Sequence, residues 1–250
     1  MIPLSAIIIT LNEERNISRC IDSLHNVADE ILVVDSFSTD RTREICLQKG
    51  VRFIQNQWKG YSVQKNFAQV QASNDFIISM DADEALSDEL ANSIREIKKA
   101  GVLQLFSFNR LTNYCGKWIR HGGWYPDIKI RLYDRNKCEW EGTIHEKLIY
   151  PLNEKVSLLK GDCFHFTFYT VDEHMKQVDK FTALMAEEEF SKGKRASLFN
   201  LVINPAVKFI RDYFFRLGFM DGMEGFRISR ISAYATYLKY SRLMKKKTGN

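Results

Sequence analysis

Two aspartates, Asp81 and Asp83, directly follow the apolar run Phe76–Met80. Such a run, closed by polar residues, is typical of a strand buried in a sheet. Both carboxylates would then lie just beyond the carboxyl end of the strand, where open α/β sheets bind ligands. Their spacing of two lets them point the same way and form an oxygen site for Mg²⁺ or Mn²⁺ held between protein and phosphate. The alternative is a solvated turn that caps the next helix.

Strands and helices alternate along the first hundred residues. Leu4–Thr10 and Glu30–Asp35 predict buried strands, and Val51–Ile54 predicts a short third strand before Phe76–Met80. Apolar residues at helical spacing predict helices between them, the third over Tyr61–Gln71. Because the connections are short, we expect an α/β fold with right-handed βαβ units and a mostly parallel sheet with helices on both faces.

The pattern changes after Gly101. Strand-like segments over 103–111, 127–133 and 159–166 follow one another without regular helices between them. From Thr170 the sequence becomes helical, in three stretches that reach Lys192, Arg216 and Lys247. We therefore predict an α/β domain over residues 1–190 and a helical C-terminal extension over residues 191–250.

The composition is that of a globular chain with one large domain, or one domain with an appendage. Its five cysteines are widely spaced and include no Cys-x-x-Cys pair, which argues against a disulfide scaffold or a zinc site and for a reducing compartment. No signal peptide is evident, and no segment reaches about 18 consecutive apolar residues. We expect a cytoplasmic protein.

The net charge of +5 is unevenly distributed. Residues 191–250 contain 13 Lys/Arg and 3 Asp/Glu, whereas residues 1–190 contain 23 and 28. A basic final quarter indicates an anionic partner. Large apolar side chains between the basic ones, and the acidic remainder, favour a membrane surface over a nucleic acid, with Lys and Arg at anionic headgroups. The alternative is a helical cap packed on the first domain.

Three motifs resemble those of family 2 glycosyltransferases of the GT-A fold. They are Ala6–Glu13, Val33–Ser36 with Thr39–Thr42, and Asp81–Asp83, in the order and spacing of that family. Motifs further along the chain resemble those of a narrower branch of this family. That branch contains the lipopolysaccharide core glucosyltransferases of the bacterial cell envelope. The downstream motifs are Trp124–Asp127, Arg131–Tyr133, Gly142–Glu146 and His165–Thr167. The resemblance covers residues 4–190 and implies transfer of a sugar from a nucleotide diphosphate sugar.

A divalent cation, Mn²⁺ or Mg²⁺, is implied as the group that neutralises the diphosphate as the sugar leaves. By the resemblance, Asp83 binds this cation directly, and Asp81 lies beside the ribose or meets the cation through water. His165 is a further candidate ligand, since imidazole binds Mn²⁺-type cations. The alternatives are a carboxylate that stabilises a helix N-terminus for Asp83, and a core histidine for His165.

Four further residues are expected to bind the donor. The resemblance implies that Asp35 accepts a hydrogen bond from the nucleotide base, which indicates uracil, and that Asn12 and Glu13 line the cleft. Lys65, next to Asn66, lies in the segment that flanks the donor in this family. The alternatives are electrostatic stabilisation of a helix start for Glu13 and a solvated helix charge for Lys65.

An inverting transfer needs a general base for the acceptor hydroxyl, and three carboxylates are candidates. Glu146 is our first choice, because His145-Glu146 follows a turn with a glycine and resembles the motif of the branch. Asp127 and Glu141 are the others. The Glu-Asp pair that is usual in the wider family is absent, so the identity of the base stays open.

Basic and aromatic residues crowd the segment before Asp127 and the strand after it. Arg120, His121 and Arg131 are candidates for binding phosphate, since the planar guanidinium matches phosphate oxygens. Trp124 and its neighbours Trp118 and Tyr125 could stack on a sugar ring, or pack in the core or a lid.

The sequence therefore predicts a cytoplasmic, metal-dependent, inverting glycosyltransferase, peripheral on the inner face of the membrane. Its donor would be a UDP-sugar, and its acceptor a lipid-linked or cell-envelope glycan. The alternative is a module of the same fold that binds a nucleotide sugar or a membrane without turnover. The intact Asp35, Asp81 and Asp83 argue against loss of donor binding.

Overall fold

The computed structural model describes residues 1–142 and 146–247. Residues 143–145, within the motif that ends at Glu146, and residues 248–250 lie outside the described part. The chain forms two compact units. The sheet unit comprises Met1–Arg110 and Asp127–Phe166, and the helical unit comprises Leu111–Pro126 and the chain from Thr167 onward. The domain boundary that the sequence predicts near residue 190 stays a prediction.

The described residues form eleven strands and seven α-helices. The strands are β1 (Leu4–Thr10), β2 (Glu30–Asp35), β3 (Arg52–Gln55), β4 (Phe76–Asp81), β5 (Glu84–Leu86), β6 (Leu105–Tyr114), β7 (Lys117–Ile119), β8 (Ile128–Asp134), β9 (Glu139–Glu141), β10 (Lys147–Ile149) and β11 (Val156–Phe168). The helices are α1 (Ile17–Leu24), α2 (Thr42–Gln48), α3 (Tyr61–Gln71), α4 (Asp88–Ala100), α5 (Val171–Ser191), α6 (Leu198–Ile210) and α7 (Gly222–Lys247).

The main sheet has the strand order β3-β2-β1-β4-β8-β6-β11-β5. Strands β3, β2, β1 and β4 are parallel neighbours, and α1, α2 and α3 lie between them in the chain. The later strands add antiparallel pairs, β4 with β8, β8 with β6, and β11 with β5. The predicted α/β fold with C-terminal helices is confirmed. Strands β5, β7, β9 and β10 were not predicted, because three residues are too few to show a period.

The core of the sheet unit lies on both faces of the parallel strands. All seven residues of β1 are buried. Alternate side chains of a strand point to opposite faces. Ala6 and Ile8 accordingly pack with buried residues of α1, and Ile7 and Ile9 pack with Ala68 of α3. Helices therefore cover both faces, as the continuous apolar run predicts.

The helical unit is built on α5 and α7. Helix α5 begins at a capping box in which the Thr170 side chain and the Glu173 side chain each bind the other residue's backbone. His174, in the first turn, stacks on Phe168 with ring centres 4.5 Å apart, and its Nδ1 lies 3.1 Å from the Tyr114 hydroxyl. Burial lowers the pKa of His174 to about 4. Trp124 belongs to the same aromatic cluster, 5.7 Å from Tyr114.

No helix in the described part of the chain is both long enough and apolar enough to cross a bilayer.

Candidate active site

The carboxyl ends of three parallel strands lie at one edge of the sheet. Asp35, the last residue of β2, is in register with Thr10 of β1, and Asp81, the last residue of β4, is in register with Ile9. Because the strands run in the same direction, the loops that follow them leave the sheet at the same edge. The structure thus brings Asp35 and Asp81 to one edge, together with the loop that carries Asn12 and Glu13.

Asn12 connects the loops that follow β1 and β2. Its backbone N–H donates to Ser38 Oγ at 2.8 Å, and its Oδ1 accepts from the Thr39 N–H at 2.8 Å. The Asp35 carboxylate is fully buried and accepts from the Ser38 N–H at 2.9 Å and from Gln55 Nε2 at 3.2 Å. Asp35 and Asn12 therefore order the turn after β2.

Glu13 lies half-buried beside this turn. Its backbone N–H donates to Thr42 Oγ1 at 2.8 Å, and its carboxylate accepts from Asn16 Nδ2 at 2.8 Å. Burial raises the pKa of Glu13 to about 7, and the negative charge of Asp83 contributes in the same direction. When both are ionised, Glu13 and Asp83 therefore repel each other, and a cation bound near them would relieve this repulsion.

Asp83 and His165 are brought together by the pairing of β5 with β11. His165 is in register with Glu84, and the Phe166 N–H donates to the Asp83 carbonyl oxygen at 2.9 Å. The two side chains meet at 3.1 Å between His165 Nε2 and Asp83 Oδ2. Burial opposes ionisation of Asp83, but His165 lowers the pKa of this carboxyl below its ordinary value. Both predicted metal ligands are therefore in contact.

The chemistry of this pair fits a divalent cation that is shared with a substrate. A carboxylate oxygen and an imidazole nitrogen suit Mn²⁺ and related cations, and Mg²⁺ is usually held by one or two carboxylates plus substrate phosphates. Among residues 1–142 and 146–247, no group of three or more His, Cys, Asp or Glu side chains is arranged to hold a metal ion. Asp83 and His165 could thus supply part of a coordination shell, and phosphate oxygens the remainder.

Lys65 is a fully buried cation between two carboxylates. Its Nζ lies 3.1 Å from Asp81 Oδ1 and 3.0 Å from Glu146 Oε1, and 4.6 Å from the centre of the Trp140 ring. An ammonium group is stable in the interior only when it is paired. Lys65 is therefore not a solvated helix charge, and it connects the predicted donor residue Asp81 to the predicted base Glu146.

Arg131 continues this series of ion pairs on the other side of Asp81. Its Nη2 lies 2.7 Å from Asp81 Oδ2 and 3.2 Å from Oε1 of Glu84, a buried carboxylate. Glu84 also pairs with Arg110, at 3.3 Å. Burial opposes both charges, yet the pairing lowers the pKa of Asp81 and raises the pKa of Arg131. Arg131, predicted as a phosphate ligand, is thus engaged with protein carboxylates.

Asp127 lies at the far end of the series. Its Oδ2 is 2.8 Å from Arg110 Nη2, and its Oδ1 is 2.9 Å from Lys129 Nζ. Burial raises the pKa of Asp127, but these two cations outweigh it and lower the pKa below its ordinary value. A carboxylate held by two cations is a weak proton acceptor. The third candidate base, Glu141, is exposed on β9.

A cavity of about 560 Å³ in the sheet unit borders the ion pairs. Its lining includes Arg110, Arg131, Trp140 and Glu146. Of the two preferred bases, both within the described residues, Glu146 lines this cavity and Asp127 does not. A volume of this size lies in the range of small-molecule sites, and an aromatic wall with charged groups suits a polar ring such as a sugar.

Two residues of this site, Glu84 and Arg110, had no role in the sequence analysis. Glu84 accepts from the Asp81 N–H at 3.0 Å in addition to its two arginine partners. A signal for each was present, because Glu84 directly follows Asp83 and Arg110 interrupts an apolar strand. Charged residues are almost never fully buried unless they are paired, so a charge in such a strand indicates a partner.

The sequence is similar to those of known glycosyltransferases. The profile of the family described as "Glycosyl transferase family 2" matches residues 5–164. An uncharacterized glycosyltransferase of Rickettsia typhi is 31% identical over 96% of this chain and 86% of its own. The lipopolysaccharide core biosynthesis glycosyltransferase LpsC of Rhizobium meliloti is 30% identical over 97% of this chain and 92% of its own. The SPbeta prophage-derived glycosyltransferase SunS of Bacillus subtilis is 31% identical over 60% of this chain and 35% of its own.

The Arg131→Met substitution tests whether the ion pairs stabilise the site. It leaves Asp81 and Glu84 without their shared cation, so we expect the free energy of unfolding to fall by about 3–5 kcal/mol. Urea unfolding followed by circular dichroism measures this change. The control is Lys129→Met, which removes a cation that is 40% exposed and should cost less than about 1 kcal/mol. Equal losses in the two variants would contradict the assignment.

Proposed function

Because this chain belongs to glycosyltransferase family 2, we propose that it is an inverting, metal-dependent enzyme. It would transfer a sugar from a UDP-sugar to a lipid-linked or cell-envelope glycan. The observation that carries the proposal is the arrangement in the sheet unit, where Asp83 contacts His165 and Lys65 connects Asp81 to Glu146. The acceptor class is supported by similarity to LpsC, which is named for lipopolysaccharide core biosynthesis.

Asp83 and His165 are proposed to hold Mn²⁺ or Mg²⁺ together with the diphosphate oxygens of the donor. When bound, this cation neutralises negative charge on the diphosphate as the sugar leaves. Asp81 is fixed by Lys65 and Arg131 and stays ionised, so it is suited to accept a hydrogen bond from a ribose hydroxyl.

The nucleotide base is proposed to bind at the turn after β2. Asp35 would accept a hydrogen bond from a base N–H, which favours uracil, and Asn12 and Glu13 would line the adjoining loop. The Asp35 oxygens already accept from Ser38 and Gln55, so the carboxylate is held in a defined orientation before the ligand binds. Such preorganisation reduces the free-energy cost of binding.

Calorimetric titration with UDP and GDP, with and without Mn²⁺, tests the donor site. We expect wild-type protein to bind UDP in a metal-dependent manner, and Asp83→Ala to weaken this binding by more than about tenfold through loss of a metal ligand. Asp88→Ala is the control, since it removes an exposed carboxylate in the first turn of α4. Absence of nucleotide binding would contradict the assignment of the donor site. Nucleotide binding that is equally tight with and without Mn²⁺ would contradict the proposed metal dependence.

Glu146 is proposed as the general base. It lines the cavity, and Lys65 contacts its Oε1, which orients the carboxylate. Asp127 is the weaker candidate because Arg110 and Lys129 both bind it. In the reaction, Glu146 would take the proton of the acceptor hydroxyl as that oxygen attacks the anomeric carbon and the diphosphate departs.

The Glu146→Gln substitution separates the two candidate bases. We expect kcat to fall by about 10²–10⁴-fold while the affinity for the donor changes much less, because Gln cannot take the proton but its amide oxygen can still accept from Lys65 Nζ. Asp127→Asn is the comparison, and it should lower kcat much less. The reverse order of the two effects would assign the base to Asp127.

An extended apolar surface on the helical unit supports membrane association. None of the 13 residues of α6, all of which the structure describes, is buried, and Phe199 and Phe215 are 65% and 80% exposed. Exposed patches of this kind mark interaction sites. We define the apolar surface as the exposed side chains Leu198, Phe199, Val202, Ile203, Val207, Ile210, Phe214, Phe215, Leu217, Phe219, Met220 and Met223.

The charge around this surface is complementary to anionic lipid. Lys208, Arg211 and Arg216 are interleaved with its apolar members, and residues 191–250 carry 13 basic and 3 acidic residues. Apolar groups that enter the acyl boundary while basic groups meet the headgroups are typical of helices that lie in the membrane interface. We therefore propose that the enzyme binds the membrane peripherally, where a lipid-linked acceptor is available.

The double substitution Phe199→Ser with Phe215→Ser tests membrane association. In sedimentation with phosphatidylcholine–phosphatidylglycerol vesicles, we expect affinity to fall by more than about tenfold, because burial of each Phe contributes roughly 1.5–3 kcal/mol. The control is Leu152→Ser, which removes a fully exposed apolar side chain of the sheet unit. Vesicle binding that is unchanged in the double variant, or weakened as much by the control, would contradict insertion of the apolar surface.

A further inference from the structure

A second cavity, of about 380 Å³, lies within the helical unit. It is lined by Arg120, His121, Gly123, Tyr125, Pro126 and Arg216. Two arginines, a histidine and a tyrosine are among these described lining residues, and no aspartate or glutamate is. The lining therefore has the composition of a site for an anion.

One wall of this cavity is fixed by Asp221, which is 4% exposed. Its carboxylate accepts from the backbone N–H of Arg120 at 3.2 Å and of His121 at 2.8 Å. It also lies 3.0 Å from His121 Nδ1. An Nδ1–H that donates to Asp221 leaves Nε2 as the ring nitrogen available to a ligand. Asp221 therefore orients the imidazole and the start of the loop.

The opposite wall is fixed around Arg216. Its carbonyl oxygen accepts from the Gly122 N–H at 2.9 Å, and its Nη1 lies 3.5 Å from Asp212 Oδ1. Gly123, with φ of 82°, lets the guanidinium lie against the backbone, since a Cβ at this position would collide with Nη1. The backbone conformation therefore favours glycine, and the absence of a Cβ permits this close approach of the arginine.

The charges behind this wall leave an excess of positive charge. Asp212 is 2% exposed and is shared by three cations, Lys208 at 2.7 Å, Arg211 at 3.0 Å and Arg216 at 3.5 Å. One carboxylate cannot neutralise three cations, so the region attracts a further anion. The planar forks of Arg120 and Arg216 match a tetrahedral oxyanion that can accept several hydrogen bonds.

We propose that this cavity is a binding site for a phosphate group at the membrane surface. In the sequence, Arg216 lies between two exposed members of the apolar surface, Phe215 and Leu217. If the apolar surface enters the acyl boundary, the adjoining guanidinium lies at the depth of lipid phosphates. The inference rests on the proposed membrane-associated function and adds to it a phosphorylated glycolipid acceptor or a phospholipid headgroup as ligand.

Substitutions that conserve charge test the site, because they remove the guanidinium fork without altering net charge. We expect Arg120→Lys and Arg216→Lys each to weaken phosphate binding by about tenfold or more. Arg211→Lys is the matched control, since Arg211 shares Asp212 with Arg216 but does not line the cavity, and its affinity should change less than about twofold. Thermal unfolding of each variant verifies that it is folded.

Two probes distinguish the sources of the phosphate. Calorimetry with inorganic phosphate and glucose 6-phosphate measures binding of soluble groups, and sedimentation with phosphatidylcholine vesicles containing phosphatidic acid measures binding of a lipid phosphate. Binding to vesicles that is weakened by Arg120→Lys and Arg216→Lys supports a lipid phosphate. If these variants weaken only the binding of the soluble probes, the ligand is a phosphate on the glycan. Absence of binding to both probes, or equal weakening by Arg211→Lys, overturns the site.

The outcome is separable from that of the donor proposal. The loss of UDP binding in Asp83→Ala reports on the sheet unit, whereas the loss of phosphate binding in Arg120→Lys and Arg216→Lys reports on the helical unit. Phosphate binding without UDP binding would leave the anion site in place and remove the proposed transferase chemistry. UDP binding without phosphate binding would retain the proposed donor site and remove the anion site.

Discussion

Charged groups buried at the carboxyl ends of the parallel strands must be neutralised inside the protein, and the rest of the sheet unit satisfies this constraint. Lys65 and Arg131, which are 0% and 3% exposed, hold the two oxygens of Asp81 between them. Each cation then needs a second anion, which Glu146 and Glu84 supply. Removal of any member leaves a buried charge uncompensated, so the members fix each other's positions. A site built in this way is ordered before its ligand arrives, which is what binding and catalysis both require.

The same constraint explains how Asp81 and Asp83, which are separated by a single residue, acquire different chemistry. Asp81 has two permanently charged partners and little remaining capacity for a cation. Asp83 has His165, whose charge depends on a proton, and it lies near Glu13, whose pKa is raised to about 7 by burial and by Asp83. The two carboxylates of the site that repel each other are therefore Asp83 and Glu13. Two positions apart in the sequence, the two aspartates are distinguished by their neighbours, and Asp83 is the one suited to an additional cation.

The sequence was sufficient for the features that local patterns determine. The continuous apolar runs of β1, β2 and β4 predict the parallel core, and their terminal residues predict that Asp35 and Asp81 share an edge. The partners of these residues could not be predicted, because they come from distant segments. The local sequence around Lys65 predicts only a charged residue on a helix, because its partner Glu146 is 81 residues away. Strand β5 has only three residues and is defined by its pairing with β11. The contact between Asp83 and His165 depends on the register of this pairing, which a local sequence pattern cannot predict.

The two units show opposite departures from local charge balance. Around Asp83 the sheet unit places a second carboxylate, Glu13, close enough to repel it, whereas around Asp212 the helical unit places three cations on one carboxylate. Maintaining either imbalance costs free energy, since like charges are held close together without full compensation. Ordinary surface charges would relax into solvent, but Asp212 and Asp221 are buried and retain the basic side chains and loop around them. An enzyme that takes its sugar from a nucleotide diphosphate and transfers it to a phosphorylated lipid would use both imbalances, the first to recruit a cation for the donor and the second to hold the anionic group of the acceptor.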